Sequence, residues 1–427
     1  MLEYYPIKEF IDEPDEVRIE ALRANILYMI TRAGSGHLGS ACSALETVYS
    51  LYVHEMQPGD LFISSKGHDC AAQYAVLMML GKIPEAEIHR FRTAAGLPGH
   101  PHPSVPGIVT HTGSLGMGLS KAQGIALADR LAGRKRRIFV MVGDGEMQEG
   151  QNLEACRNID GKGLGEIVIL MDANGFQCDR SVADTSPGMT VAETEQFKLI
   201  RSKKSAGLPW EGTNRYHAGA PTPVEYKQAL DAIKARIPHL ETRIGPERPS
   251  RGYRDDAGAL REAYGSALAA VMASMPEMVC CDADLSGDCG LEEVRRTFPE
   301  RFFEFGISEQ DMVSAAGGMA LAGLVPVVHS FAAFLCRRAN EQIYNNACEG
   351  TTVIYVGHLA GLLPAGPGPT HECLDDVALM KTIPGMLVLE PQGFIQMRQA
   401  LWYAARMRKG PAYIRVPCLR QVEGMRK

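Results

Sequence analysis

Apolar residues near the start of the chain recur at every third or fourth position. Ile19, Leu22, Ile26 and Met29 follow this spacing, which predicts an amphipathic helix over Glu16–Thr31. We therefore expect the chain to begin with a helix that packs one face against a hydrophobic core.

Two short apolar runs further along the chain are typical of buried strands. They span Ile138–Val142 and Ile167–Met171, and the intervening Glu149–Ile159 has the pattern of a helix. This order forms a βαβ unit, which requires a parallel sheet with helices on its faces. Trp210–Pro223 has no regular pattern and predicts an irregular loop.

The same alternation returns in the second half of the chain. The predicted strands are Val279–Cys281, Val325–Val328, Thr352–Val356, Leu387–Leu389 and Ala412–Val416. The predicted helices are Leu260–Met275, Glu309–Ala322, Arg338–Ala347 and Gly393–Ala405. The intervening Arg243–Asp256 is rich in proline and charge, as linkers are. We predict an α/β protein of two domains, 1–245 and 257–427, each a mostly parallel sheet flanked by helices, with a linker at 246–256.

Composition narrows the functional classes. The 427-residue chain has a net charge of −6 and a pI near 6.1, so we expect no nucleic-acid partner. Its eleven cysteines form no C-x-x-C motif, which favours free thiols and a cytoplasmic location. The uncharged run Met312–Val328 contains glycines and a proline and predicts a buried helix leading into a strand, so we expect no membrane span.

Two nucleotide-binding motifs can be judged from their context. Gly34, Gly36 and Gly39 form a G-x-G-x-x-G, but a helix precedes it where a dinucleotide site requires a strand. The P-loop motif G-x-x-x-x-G-K-[ST] does not occur. Neither nucleotide site is therefore expected.

A different phosphate site is indicated at the ends of the first two predicted strands. Asp144, within Gly-Asp-Gly, follows one strand, and Asn174 follows the next. Their side-chain oxygens suit Mg²⁺ or Ca²⁺, and the nearby glycines and helix start offer N–H groups to phosphate oxygens. Together they suit a metal-bridged diphosphate, although Gly-Asp-Gly alone is also a common turn.

Eight short motifs follow one another along the chain: SGHLGS at 35–40, SSKGHD at 64–69, GLPGHP at 96–101, TGSLGMGLS at 112–120, GDGEMQEG at 143–150, GISEQDM at 306–312, SFAAFLCRRA at 330–339 and GPTHE at 368–372. In this order they resemble the motifs of the transketolase family, which uses thiamine diphosphate. The resemblance extends from about Arg18 to about Val416. It implies a diphosphate-binding domain followed by a pyrimidine-binding domain.

The resemblance also implies the site residues. The metal ligands would be Asp144, Asn174 and the backbone carbonyl of Phe176. The residues expected to contact the cofactor are His68, Gly113, Leu115, Gly143, Asp144, Gly145, Glu149, Asn174, Phe331 and Phe334. Among them, Phe334 with Phe331 would form an aromatic platform for the pyrimidine ring.

Glu309 would be the carboxyl group that shares a proton with a pyrimidine ring nitrogen. This role requires a mostly apolar site in which the proton affinity of the carboxyl is raised. On residue type alone, an acid that stabilises a helix N-terminus is the alternative.

Five of the twelve histidines match positions of the family: His37, His68, His100, His371 and, in YHAGAP, His217. Imidazoles exchange protons near neutral pH, as reactions at sugar hydroxyls require. We expect His37, His100 and His371 at the reacting end of the donor, and His217 near the diphosphate or substrate. A hydrogen-bonded structural role is the alternative for any single histidine.

The sequence departs from the family pattern in two places. It stops at Lys427, shortly after YIRVP, where the family continues with a third domain. We therefore expect a truncated or split member whose C-terminal domain comes from a second polypeptide. The loop LLPAGPGPTHE also lacks the acidic G-E-D-G of the family, whose carboxylate contacts a hydroxyl of the sugar donor. Without this carboxylate, we expect weaker discrimination between donors with and without that hydroxyl. Arg415 best matches a ligand for the sugar phosphate, although it also suits an ion pair with a nearby acid.

These features predict a transketolase-type transfer of a two-carbon ketol unit from a ketose phosphate. The resemblance implies a homodimer with active sites at the subunit interface, extended to a heterotetramer by the second polypeptide. The alternative is a 2-oxo-acid-dehydrogenase-like component that passes the unit oxidatively to a lipoyl or carrier-protein thiol of that partner. A non-catalytic relative is disfavoured because Glu309 and Gly-Asp-Gly are both retained.

Overall fold

The computed structural model describes residues 1–93, 95–186, 197–246, 257–362, 366–407 and 409–417. Its contacts divide the chain into two compact units, Met1–Ser250 with Pro364–Thr370, and Arg251–Leu363 with His371–Lys427. Nearly all of the predicted linker, residues 247–256, lies outside the described residues.

The first unit is built on a four-stranded parallel sheet with the order β2-β3-β4-β5. Its strands are β1 Glu3–Tyr4, β2 Leu61–Ser64, β3 Ile138–Gly143, β4 Ile167–Asp172, β5 Phe197–Ile200 and β6 Arg243–Ile244, of which β1 and β6 pair separately and antiparallel. Its helices are α1 Asp15–Ala33, α2 Leu38–Ser50, α3 Cys70–Met79, α4 Gly118–Leu131, α5 Gly150–Gly161, α6 Val182–Thr185 and α7 Pro223–Arg236.

The second unit contains a six-stranded parallel sheet with the order β11-β12-β10-β9-β7-β8. Its strands are β7 Met278–Asp282, β8 Phe302–Glu304, β9 Val325–Phe331, β10 Ile354–Ala360, β11 Leu387–Leu389 and β12 Ala412–Pro417. Its helices are α8 Ala257–Met272, α9 Ser286–Cys289, α10 Glu292–Thr297, α11 Glu309–Leu321, α12 Ala332–Arg338, α13 Asn340–Cys348, α14 Asp376–Met380 and α15 Phe394–Trp402.

The predicted α/β class is confirmed, and both parallel sheets have helices packed on them. Apolar side chains of β3 and β4 are buried on both faces of the first sheet, as continuous apolar runs predict. Several element boundaries differ from prediction. The helix expected over Arg338–Ala347 is interrupted at Ala339, and β10 continues past Val356 to Ala360.

The basic run before β3 is paired with acids. Arg134 and Arg136 contact Asp129, and Arg137 contacts Asp60. Among the described helices, none is both long and apolar enough to cross a membrane.

Candidate active site

Asp144 connects the ends of two neighbouring strands in the first unit. β3 and β4 are in register, with Gly143 opposite Asp172, so the residues that follow them emerge at one edge of the sheet. Asp144 Oδ1 accepts the Gly145 N–H at 2.9 Å, and its Oδ2 accepts the Gly175 N–H at 2.7 Å. Burial raises the pKa of this carboxyl, so a nearby cation would stabilise its charged form.

The other two predicted metal ligands lie in the turn after β4. Asn174 Oδ1 accepts the Phe176 N–H at 3.1 Å, so Asn174 and Phe176 belong to one hydrogen-bonded turn. Asp144 bonds to Gly175, the residue between them. The structure therefore places all three predicted ligands around a single turn.

This donor set fits a hard cation that receives further oxygens from a ligand. It offers one carboxylate, one amide oxygen and one carbonyl, the ligand types of Mg²⁺ and Ca²⁺. No group of three or more His, Cys, Asp or Glu side chains suited to a metal occurs in the part of the chain that the structure describes. A cation bound here would thus need other oxygens, such as those of a diphosphate, to complete its shell.

A buried ion pair that the sequence did not reveal lies beneath this turn. Lys66 donates to Asp172 Oδ2, and both side chains are only 1% exposed. Burial is the largest single influence on both groups and opposes their charges. The opposite charges and hydrogen bonds around each group together outweigh burial, so the pKa of Lys66 is raised and that of Asp172 is lowered. Asp172 Oδ2 also accepts the Asn174 side-chain N–H at 3.2 Å, which orients the amide.

Lys204 is a second buried cation that was not predicted. Its Nζ lies 2.8 Å from His217 Nδ1 and 3.5 Å from the Phe176 carbonyl oxygen. Burial, followed by the charge of Lys66, lowers the pKa of Lys204 to about 8. The sequence offers one weak signal for a role of Lys204 in the site. It belongs to a pair of lysines at 203–204 and lies thirteen residues before His217.

Four of the five predicted histidines form one cluster in the first unit. The ring of His37 lies 5.7 Å from that of His68, 5.3 Å from His100 and 5.8 Å from His217, between centroids. His68 and His217 are 5.5 Å apart. Burial is the main cause that lowers the pKa of all four, to about 4 for His100, so their imidazoles are neutral at pH 7.

The remaining predicted residues of this unit are Glu149, Gly113 and Leu115. Glu149 is buried against Gly116, and an unpredicted residue, Glu146, accepts the Gly116 N–H at 2.9 Å and the Gly143 N–H at 3.1 Å. Gly113 lies against His100 and Thr370, with no space for a side chain. Leu115 lies in the segment between Gly113 and Gly116.

Glu309 begins α11 in the second unit and is only 3% exposed. Its surroundings differ from the mostly apolar site expected, because Arg338 donates to Glu309 Oε2 at 3.0 Å. The same guanidinium lies 5.4 Å from the centre of the Phe334 ring. The positive charge beside Glu309 thus comes from Arg338, the last residue of α12. The prediction of one helix over 338–347 gave no indication of this contact.

The predicted aromatic residues of this unit are close together. Ring centroids are 5.6 Å apart for Phe331 and Phe334, and His371 lies 5.0 Å from Phe334. The structure therefore joins one predicted histidine to the predicted platform.

Arg415 does not match the suggested phosphate role. It donates to Asp376 Oδ2 at 2.7 Å and to Glu390 Oε1 at 3.0 Å. Because two carboxylates hold this buried guanidinium, the alternative of an ion pair with neighbouring acids is the one observed.

Comparisons with known proteins agree with this arrangement. Residues 15–198 match the family model "Transketolase, thiamine diphosphate binding domain", and residues 256–419 match "Transketolase, pyrimidine binding domain". The chain is 29% identical to transketolase-like protein 2 of Mus musculus, covering 95% of this chain and 73% of the relative. It is 28% identical to transketolase of Homo sapiens, covering 95% and 75%. A solved structure described as "Split gene transketolase, inactive beta4 tetramer" is 37% identical over 37% of this chain and 51% of that one, with a TM-score of 0.33.

Proposed function

Because the chain belongs to the transketolase family, we propose that this thiamine-diphosphate-dependent transferase moves a two-carbon ketol (glycolaldehyde) unit from a ketose phosphate to an acceptor. The observation that carries the proposal is the cluster of four neutral imidazoles near Lys204 and the Asp144 turn. Neutral imidazoles can take protons from sugar hydroxyls and return them. This cluster favours sugar chemistry over the 2-oxo-acid-dehydrogenase-like alternative.

Each residue then has a specific task. When bound, thiamine diphosphate supplies the nucleophilic carbon and the electron sink for breaking the C–C bond beside the ketone. Glu309 offers its carboxyl group to a pyrimidine nitrogen, and Phe331 and Phe334 hold the ring. His37, His100 and His371 exchange protons with substrate hydroxyls. Glu309, His100 and His371 are buried, which limits the access of bulk water to the groups that exchange protons.

The diphosphate would be held from two sides. Asp144, Asn174 and the Phe176 carbonyl would bind Mg²⁺ or Ca²⁺. The Lys204 ammonium, beside His217 and the Phe176 carbonyl, would pair with diphosphate oxygens. We propose Lys204 as a cofactor ligand on this geometry, together with the predicted His68 and Gly145.

Cofactor binding should depend on a divalent cation. Without the cation, the Asp144 carboxylate would repel the diphosphate, and Lys204 alone would leave most of the diphosphate charge uncompensated. We therefore expect the affinity for thiamine diphosphate to fall at least tenfold without metal. Titration calorimetry in 5 mM Mg²⁺ and in excess EDTA, each at about pH 7 and matched ionic strength, measures this difference. Equal affinities would contradict the proposed cation site.

The donor is proposed from the histidine cluster, next to a loop that departs from the family pattern. The loop that departs from the family includes Pro364 and Ala365, which lie outside the described residues, and Pro367, whose carbonyl lies 2.8 Å from His100 Nδ1. We propose a ketose phosphate because the histidine cluster suits its hydroxyls. Arg415 is not included among its ligands.

A two-substrate assay tests the activity. Ketose phosphate and aldose phosphate should give a new ketose phosphate in the presence of thiamine diphosphate and Mg²⁺. No turnover by the chain, either alone or with proteins that copurify from its source, would count against the proposal. Formation of a thioester on a copurifying lipoyl or carrier protein would support the alternative instead.

The assembly is also a proposal. Transketolases are typically dimers, and we propose that two copies of this chain share each active site. A second polypeptide that extends the dimer to a heterotetramer stays a prediction from the sequence, as does the cytoplasmic location. Copurification followed by mass spectrometry would identify such a partner.

A further inference from the structure

The glycine motif at 34, 36 and 39 follows a helix and therefore lacks the context of a dinucleotide site. Its last glycine, Gly39, nevertheless makes unusual contacts. Gly34, with φ of 71°, ends α1, and α2 begins at Leu38, so Gly39 lies in the first turn of α2. N–H groups in the first turn of a helix have no partner within the helix. The N–H of Gly39 instead donates to the Tyr216 carbonyl at 3.1 Å.

The carbonyl of Gly39 is also bonded to the same loop. It accepts the Ser205 N–H at 3.0 Å, so Ser205 and Tyr216 hold opposite sides of one residue. Both have left-handed backbones, with φ of 57° and 59°, although neither is glycine. Such conformations cost roughly 1 kcal/mol or more each and persist when the surroundings enforce them.

Each strained residue adjoins a candidate site residue. Lys204 precedes Ser205, and His217 follows Tyr216, so the two bonds to Gly39 fix both ends of the loop that carries them. Lys204 and His217 in turn contact each other at 2.8 Å. His37, immediately before α2, lies 5.8 Å from the His217 ring. Gly39 thus connects the helix that carries His37 to the loop that carries the other two.

The absence of a side chain on Gly39 allows this close approach. A Cβ on Gly39 would lie 3.1 Å from Lys204 Cγ, 3.3 Å from Lys204 Cε and 3.1 Å from Ser205 Oγ. These distances are shorter than ordinary van der Waals contact between such atoms. Lys204 is 0% exposed, so its side chain would have to shift within the packed interior to accommodate a methyl group.

We propose that Gly39 is a positioning residue, whose peptide and missing side chain set the place of Lys204 and His217 beside the cofactor diphosphate. The inference rests on the proposed function, in which Lys204 pairs with the diphosphate. It adds that a residue with no functional side chain controls how well that pairing is made.

A double-mutant cycle on thiamine diphosphate affinity tests the proposal. Gly39→Ala should weaken binding about tenfold in Mg²⁺, because the new methyl group displaces the Lys204 side chain. Lys204→Ala should also weaken binding. In the Lys204→Ala background, Gly39→Ala should change the affinity less than about twofold, because no Cγ remains to be displaced.

Two controls separate positioning from general damage. Gly124→Ala lies within α4 with no atom near the new methyl group, so it should leave affinity unchanged. Ser205→Gly removes the other close atom and relaxes the left-handed strain. If the methyl group acts on Lys204, Gly39→Ala should still weaken binding in the Ser205→Gly background.

The outcomes distinguish this inference from the proposed function. Unchanged affinity in Lys204→Ala would remove Lys204 from the diphosphate site and overturn both. Weakened binding in Lys204→Ala, combined with equal effects of Gly39→Ala in both Lys204 backgrounds, would overturn only the positioning role. A melting temperature of apo Gly39→Ala close to that of the wild type would show that the variant is folded. If the variant does not fold, Ser205→Gly takes its place in the cycle. By loosening the backbone next to Lys204 it should weaken binding in the wild type but not in the Lys204→Ala background, and equal effects in both backgrounds would overturn the inference.

Discussion

Glu309→Gln should bind thiamine diphosphate nearly as tightly as the wild type and lose most of its turnover. The amide keeps the size of the side chain and one hydrogen bond, but it cannot hold the proton that a pyrimidine nitrogen requires. General acid–base groups contribute about 10²- to 10⁴-fold to rate, so a loss of at least a hundredfold in kcat is expected. Calorimetry for affinity and the two-substrate assay for turnover measure the two effects separately.

A neighbouring acid provides the matched control. Asp311 also lies in the first turn of α11 and is exposed to solvent. Asp311→Asn therefore removes a charge from the same helix end, where an acid stabilises the helix dipole by about 0.3–1 kcal/mol. If Glu309 served only this structural purpose, both variants would lose similar stability and retain turnover. Near-wild-type kcat in Glu309→Gln would refute its assignment.

The sequence predicted those parts of the site that lie close to a strand or helix end. Asp144 and Asn174 each follow an uninterrupted apolar strand, and parallel strands place such residues at one sheet edge. The position of Glu309 at the start of α11 also follows from a local pattern, whereas the strand predicted to end at Val328 continues to Phe331. Local signals were sufficient here because each residue's position depends on the element beside it.

Residues whose role comes from distant pairing were missed. Lys66 and Asp172 are 106 positions apart, and nothing near either one indicates that they meet. Lys204 lies in an irregular segment that is hydrogen-bonded to Gly39 through Ser205 and Tyr216. Arg338 was predicted to begin a helix, whereas it ends α12 and donates to Glu309. These are tertiary contacts, for which spacing along the chain gives no signal.

The position of Asp172 explains why one acid at the strand ends was recognised and another was not. Both lie at the ends of β3 and β4, but Asp172 is turned into the protein, where Lys66 and Ser43 bond to it. Asp144 bonds only to backbone N–H groups in the contacts described above, so its oxygens retain lone pairs for a cation. The sequence alone does not distinguish an acid that supports the turn from one that binds its ligand.

Asp144→Ala should abolish metal-dependent cofactor binding, and its activity should be partly recovered by a second inactive chain. The variant removes the single carboxylate of the proposed cation site, so we expect no measurable turnover. We propose that each active site uses Asp144 from one copy and Glu309 from the other. In a mixture with Glu309→Gln, each mixed dimer would then contain one site with both residues intact.

The size of the recovery follows from random pairing. Equal amounts of the two variants, unfolded and refolded together or coexpressed with different tags, give about half mixed dimers, so about a quarter of all sites regain both residues. Purification through both tags should raise this to about half the wild-type activity per dimer. Each variant taken alone through the same procedure is the matched control, and it should stay inactive. Mixed dimers that form but show no turnover would mean that Asp144 and Glu309 serve a site within one chain.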